Sequence, residues 1–435
     1  MQKNSKFSLF NIAGTPYLLP FGQGIADHKR GVRINDTGIF IWELLKEDRT
    51  EKELLNLYAS HYEASDSELP QMEADLRQFL QMLNSYGMLT HDNKTSVKSD
   101  TLDCLDISSD CSASEGFEIP SCLADPIVFD IPDDSNDVKR YLSIGGLTLL
   151  LSGPKEAFTQ EFDAFEIPPE SHDPASYDSS HDLNSLHIDQ TIDVVSCAPV
   201  FLPGGTVLLQ NPELVVIQGE SHYRFLFPAA ANIYEAHLSI DGTDVCYYCR
   251  PPYTESLRHD LFHAIRLSFL YLAQLHDMVV LHSASMLYRD RAWLFSGHSG
   301  AGKSTHTNLW KELYGVHLIN GDLNLLSMEA GHPVVHGLPW CGTSGISDTH
   351  SYPLGGIFFV KKAPDNHTEL LSGDKAQLFV TQRLISPGWT ETLVQKNLDL
   401  VSEIAPHILT CRLYCTKDPE AAETCKQTID DYLDK

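Results

Sequence analysis

The sequence predicts a multidomain protein of mixed α+β and α/β class. A winged-helix-like domain is expected at 1–90, a linker at 91–120, a β-rich middle region at 121–253 and a P-loop α/β domain at 254–435. Three observations predict this order. The N-terminal stretch carries a hairpin signal and then three helical periodicities; the middle carries short apolar runs bounded by Gly, Pro and Asp; and from Thr254 onward strand, loop and helix patterns alternate.

In the first region Phe7 to Leu19 alternates loosely around Gly14-Thr15-Pro16, as a hairpin does. Asn35-Asp36 can cap a helix carrying Ile39, Phe40, Trp42, Leu44 and Leu45. Thr50 to Glu53 has capping-box spacing and starts a second helix through Tyr62. A third helix places Leu69, Met72, Leu76, Phe79, Leu80 and Leu83 on one face and stops at Gly87, a left-handed terminator. The linker is rich in Ser, Asp, Thr and Asn and holds too little apolar surface to offset its ordering entropy. Pro168 to Asn184 reads as a second exposed stretch. Between them and residue 250, Tyr141–Leu151, Val200–Leu209, Leu214–Gln218, Tyr223–Pro228 and Val245–Cys249 are strand-like. Leu257, Leu261, Ile265, Leu272 and Leu275 then mark a long amphipathic helix, followed by a strand at Val279–Tyr288.

Of 435 residues, 42% are apolar and 21% charged, enough to bury a core. A net charge of −28 argues against a nucleic-acid partner and against docking on an anionic membrane, both of which recruit Lys and Arg. No signal peptide opens the chain and no apolar run of about 18 residues spans a bilayer. Ten cysteines without a regular framework fit reduced thiols in a cytoplasm. Cys246 and Cys249 form a lone CxxC, read as buried strand thiols rather than half of a zinc site.

The strongest chemical signal is Gly297-His298-Ser299-Gly300-Ala301-Gly302-Lys303-Ser304, which fits G-x-x-x-x-G-K-[ST] between a buried strand (Arg291–Phe295) and a helix (Ser304–Leu313). Its glycines let backbone N–H groups face phosphate oxygens, and the helix adds the positive end of its dipole, with Thr305 in the first turn. Lys303 suits the β- and γ-phosphates of ATP, and the Ser304 hydroxyl suits Mg²⁺. Asp322, after the strand Val316–Asn320, is expected at the carboxyl end of a neighbouring strand as metal ligand or base. His282 lies on the strand before the loop, where a lone histidine is more often a core residue than a catalyst. The Pro339–Gly345 turn could line the site, while Arg383, Lys361 and Lys362 read more readily as solvated cations.

With these residues in hand, the region from about 255 to 325 resembles the HPr serine kinase/phosphorylase family, which shares a P-loop fold variant with phosphoenolpyruvate carboxykinase. His282 stands at the matching distance from Gly297, and Gly297–Ser304 matches the family's loop. The resemblance implies that His282 handles protons near the phosphate. It also implies an HPr kinase-like domain that can form a homo-oligomer. One departure stands out: the family's paired aspartates fall on Gly321 and Asp322, which puts the partner of His282 and any reverse reaction in doubt.

Residues 5–90 resemble the PqqD-like peptide chaperones, or RiPP recognition elements, through the hairpin, Arg33 to Gly38 before Ile39, Ile41 and Trp42, the Thr50–Glu53 helix start and Tyr86-Gly87-Met88-Leu89. That resemblance implies binding of a precursor-peptide leader by strand addition. A DNA-binding winged helix is the rival, and nine Lys/Arg against twelve Asp/Glu over 1–90 is the wrong balance for it. Together the two ends suggest a kinase that phosphorylates Ser, or Thr, on a leader-held precursor peptide. Two other readings are a kinase of a free amino acid or small metabolite, and a nucleotide-gated peptide-binding adaptor without phosphotransfer.

Overall fold

The computed structural model describes residues 1–27, 31–90, 137–168, 186–199, 204–298 and 300–434. The expected linker, most of the Pro168–Asn184 stretch, the start of Val200–Leu209, and Ser299 lie outside these residues. The chain divides into two compact units, one of Met1–Ser5 with Asn35–Asp130 and one of Lys6–Ile34 with Ile131–Lys435. Among the described residues no helix is long and apolar enough to cross a membrane.

The chain opens with β1 (Gln2–Lys3), β2 (Phe7–Ile12), β3 (Thr15–Pro20), the single turn α1 (Gln23–Ala26) and β4 (Val32–Arg33). Helices α2 (Asp36–Leu44), α3 (Glu51–His61) and α4 (Leu69–Ser85) follow, then β5 (Leu89–Thr90). In the smaller unit, local chemistry fixes the helix ends. The Asn35 side chain accepts from the Gly38 N–H, Thr50 and Glu53 form a reciprocal capping box, and Gly87 takes a φ of +70° past α4. Leu54, Leu76 and Leu83 are buried along the helices, and β1 pairs antiparallel with β5.

The larger unit holds the β2–β3 hairpin, turned through Ala13 and Gly14 at φ +49° and +81° as a two-residue turn requires. Phe10, Ile12 and Tyr17 of this hairpin pack on Val394 and Leu398, and the Tyr17 hydroxyl donates to Asp374 Oδ2 at 3.2 Å. The unit then continues through β6 (Asp137–Ile144), β7 (Leu147–Pro154), β8 (Gln190–Val195), β9 (Thr206–Gln210), β10 (Val215–Gln218), β11 (His222–Leu226), β12 (Ile233–Ser239) and β13 (Asp244–Cys249). These form one eight-stranded sheet in the order β6-β7-β8-β13-β12-β11-β10-β9. Strands β8 and β12 are additions to the sequence expectation, and Tyr141–Leu151 proves to be two strands joined at Gly145-Gly146. Cys246 and Cys249 are buried on β13, where burial pushes both thiols up to about 12.

After β13 come α5 (Glu255–Leu275), β14 (Val279–Tyr288), β15 (Arg291–Ser296), α6 (Lys303–Tyr314), β16 (His317–Asn320), β17 (Leu323–Glu329) and β18 (His332–His336). The chain closes with β19 (Ser351–Lys362), β20 (His367–Leu370), α7 (Gly373–Thr381), α8 (Glu391–Ile404), β21 (Leu409–Cys415) and α9 (Pro419–Leu433). The second eight-stranded sheet runs β15-β14-β17-β18-β19-β21-β20, with β16 on β14 and an added β15–β19 pairing. Helix α5 buries Leu257, Leu261, Ile265 and Leu272 in one core with the first sheet, Leu323, Leu325 and Trp340. The buried Gln274 amide ties the helix to α8, donating to Leu393 O and Asn397 Oδ1, both at 2.8 Å. The architecture is thus mixed α/β with two large sheets.

Truncating Phe10, 2% exposed against α8, leaves a cavity. Phe10→Ala is expected to cost about 3–5 kcal/mol, read as a lower urea midpoint with an unchanged slope. An unchanged midpoint would show that the hairpin adds nothing to the larger unit.

Candidate functional site

Strand β15 anchors the glycine loop, with Trp293, Leu294 and Phe295 fully buried. A Cβ at Gly297 would come within 3.0 Å of the Val360 carbonyl oxygen on β19, so the loop leaves the sheet where a side chain does not fit. Gly300 and Gly302 adopt φ of +71° and +106°, a region that suits glycine. Helix α6 starts at Lys303 with no side-chain cap and no acidic residue in its first turn. Its first N–H groups therefore lack intrahelical partners and face outward at the positive end of the dipole. Ser304 and Thr305 are exposed there, Ala301 is half-buried, and exposed His298 accepts from Arg383 at 2.8 Å.

Antiparallel pairing brings the other residues to this loop. Ser283 on β14 lies opposite Ser296 on β15, so His282 sits beside the point where the loop begins. The Ser296 hydroxyl donates to the His282 carbonyl at 2.7 Å, and the His282 N–H donates to the Arg383 carbonyl at 3.0 Å. Asp322 is held by an Asx turn: Asn320 Oδ1 accepts from the N–H groups of Asp322 and Leu323 at 2.9 and 3.0 Å. The two side chains meet with His282 Nε2 3.2 Å from Asp322 Oδ1, at 33% and 32% exposure. The strand leading to Asp322 is not adjacent to β15, however; β16 pairs with β14, which lies between them.

Electrostatics binds these groups into one site. The His282 hydrogen bond, with Lys303 and Arg266 adding attraction, holds the Asp322 carboxyl below its usual range against the cost of burial. Burial pulls Lys303 below its ordinary value; Asp322 opposes this and Arg383 adds to it. Gly321, where the resemblance leaves a carboxylate missing, has no room for one, since its Cβ would lie 2.1 Å from Ser344 Oγ. Position 322 alone thus supplies the partner of His282. The Pro339–Gly345 turn does lie against the site, because a Cβ on Gly342 would come within 3.1 Å of Asp322 Cγ.

Of the three basic residues read as solvated, Arg383 donates to His298 of the loop, and Lys361 stacks over the Tyr414 ring at 5.2 Å. Lys362 joins Gly300, Gly302, Thr305 and His306 around a 310 Å³ pocket beside the loop. Sequence reasoning missed Arg266 and His263 on α5, both within electrostatic reach of Asp322. The available signal was an arginine set among Ile265, Leu267 and Phe269. Among the described residues no three His, Cys, Asp or Glu side chains form a metal cluster. Ser304 and Asp322 are oxygen donors beside the loop, a pair that suits Mg²⁺, which takes few protein ligands and shares the rest with phosphate and water.

Residues 25–89 match the family model described as Coenzyme PQQ synthesis protein D (PqqD). No curated protein matches the chain. Among solved structures, the Hpr(Ser) kinase/phosphatase from Coxiella burnetii is similar at 11% identity, over 36% of this chain and 99% of that one. Its TM-score is 0.23, too loose an overlay to bear on the fold or activity.

His306 on α6 gives the site region a pH signature. It is buried, accepts from Trp310 Nε1 at 3.1 Å and packs on Phe295 at a centroid distance of 4.6 Å. Burial lowers its pKa from 6.5 to about 4. The unfolded chain takes up this proton near 6.5 and the folded chain only near 4, so the stability of the neutral form is complete above 6.5 and lost as pH falls toward 4. His306→Gln is expected to flatten the loss of stability over this window, measured by urea midpoints at several pH values. An identical slope would assign the loss to other groups.

Proposed function

We propose that this chain is an ATP-dependent kinase that phosphorylates a Ser or Thr hydroxyl of a ribosomally made precursor peptide. On this reading 254–435 is an HPr kinase-like P-loop domain completed by 121–253. Residues 1–90 are a winged-helix-like PqqD region that holds the leader, and 91–120 is the linker. The observation that carries it is the convergence of the glycine loop, Lys303 and the His282–Asp322 pair at one end of β14 and β15. The match of residues 25–89 to the PqqD family supports a peptide as the acceptor.

The chain's own groups support each part of the transfer. Lys303, Arg383 and the uncapped α6 N-terminus neutralise the triphosphate. Ser304 and Asp322 would hold Mg²⁺, which supplies further charge neutralisation when bound. The acceptor oxygen forms a bond to the γ-phosphorus as the bond from that phosphorus to the β-phosphate oxygen breaks, and ADP leaves. A carboxylate kept ionised is a weak base, so Asp322 orients while the adjacent His282 imidazole takes up the hydroxyl proton. The 310 Å³ pocket would take part of the nucleoside; His306, whose Nδ1 has no partner among the described residues, lines it.

Leader binding by strand addition needs free main-chain groups. Val32 pairs with Leu18, and the Ile34 N–H donates to Pro16 O at 3.1 Å, so by antiparallel alternation the Arg33 N–H points away from β3. Arg33→Pro therefore blocks addition without removing a β3–β4 bond. Deleting 1–90 is less clean, since it also strips Phe10 and Ile12 from α8.

Mass spectrometry of precursor peptides from the same genomic neighbourhood, incubated with the full chain, ATP and Mg²⁺, tests the reading. One or more phosphate mass gains are expected. Lys303→Ala and Asp322→Asn should lower the rate by about 10²-fold or more, while Arg33→Pro should raise KM for the peptide and leave nucleotide affinity unchanged. Nucleotide binding without any mass gain would favour the adaptor; transfer only to free serine would favour a small-molecule kinase.

A further inference from the structure

Asp322 attracts cations from two elements, Lys303 at the start of α6 and Arg266 on α5. Lys303 senses Asp322 and Arg383, whereas Arg266 senses Asp322 and Glu213. The Lys303 side belongs to the loop and its triphosphate. Arg266, half-buried on α5, makes no hydrogen bond or ion pair among the described residues. A guanidinium drawn partly out of water without a hydrogen-bonded partner is costly, and its planar fork fits a carboxylate in two-point fashion.

Arg266 also continues into a track. His263 lies one helical turn earlier on the same face and faces Arg266 and Asp322. Its Nε2 is 3.2 Å from that of His259, a further turn back. His259 and Phe262 in turn line a 770 Å³ pocket with Phe158 and Glu161. A single face of α5 thus leads from Asp322 to an open pocket lined by none of the glycine-loop residues.

Resting on the kinase reading, we propose that Arg266 binds a carboxylate standing next to the acceptor hydroxyl, with the acceptor segment running along α5 past His263 toward that pocket. The acceptor is then an acidic-flanked Ser or Thr of the peptide; a free hydroxy amino acid offers the same chemistry through its α-carboxylate.

The test uses the full chain with Mg²⁺ and a non-hydrolysable ATP analogue. Calorimetry measures binding of serine hexapeptides carrying Glu or Gln on either side of the serine, with free L-serine as competitor. Wild type is expected to bind the Glu peptides at least about tenfold more tightly than the Gln peptides. Arg266→Gln should erase that difference, and Arg266→Lys, which keeps the charge, should retain part of it. Displacement by L-serine would assign the carboxylate to an amino acid; its failure would assign it to the peptide. No Glu preference in wild type, or a preference that survives Arg266→Gln, would each overturn the assignment. In a parallel arm with ATP, absence of phosphate on peptides that still bind through Arg266 would sink the kinase reading alone.

Discussion

Antiparallel pairing of β14 with β15 is the constraint on which the candidate site depends. The strand before the glycine loop doubles back through Arg289 and Asp290, both at positive φ, and returns as β15. Residues at the start of β14 therefore lie beside the end of β15, and His282 stands at the mouth of the loop. Strand β17 pairs on the other half of β14, with Leu323 opposite His282, which delivers Asp322 to the same place. One hairpin and one pairing register assemble a cationic loop, an imidazole and a carboxylate. A slip of one residue would turn His282 to the other face of the sheet.

The charges gathered there do not balance internally. Lys303, Arg266 and Arg383 supply three basic side chains, and against them stand Asp322 and, near Arg266, Glu213. This arises in a chain whose net charge is −28, so the local excess of positive charge runs against the whole. A site that holds cations half out of water is stabilised when an anion arrives. On the proposed kinase reading, a triphosphate on the loop side and a carboxylated acceptor on the α5 side would together offset the imbalance.

Much of this was legible because it rests on local chemistry. The capping box at Thr50 and Glu53, the left-handed Gly87 and the spacing of Gly297, Gly300 and Gly302 are short-range patterns with short-range causes. Strands β8 and β12 were missed for non-local reasons. In β12, Glu235 and His237 occupy buried positions, held by a 2.6 Å contact to each other and a 2.6 Å bond from Arg224 on β11 to Glu235. No alternation of residue type marks such a strand. β8 is stabilised by parallel pairing with β7 and β13, far away in sequence. Ser344, which fills the space beside Gly321, was likewise invisible without the tertiary fold.

The most direct test of the central claim, that loop and His282–Asp322 pair form one nucleotide site, is calorimetric titration with a non-hydrolysable ATP analogue with and without Mg²⁺. The account predicts that Mg²⁺ tightens binding to wild type by about tenfold and has little effect on Asp322→Asn. Equal Mg²⁺ dependence in both proteins, or no binding to wild type, would contradict it.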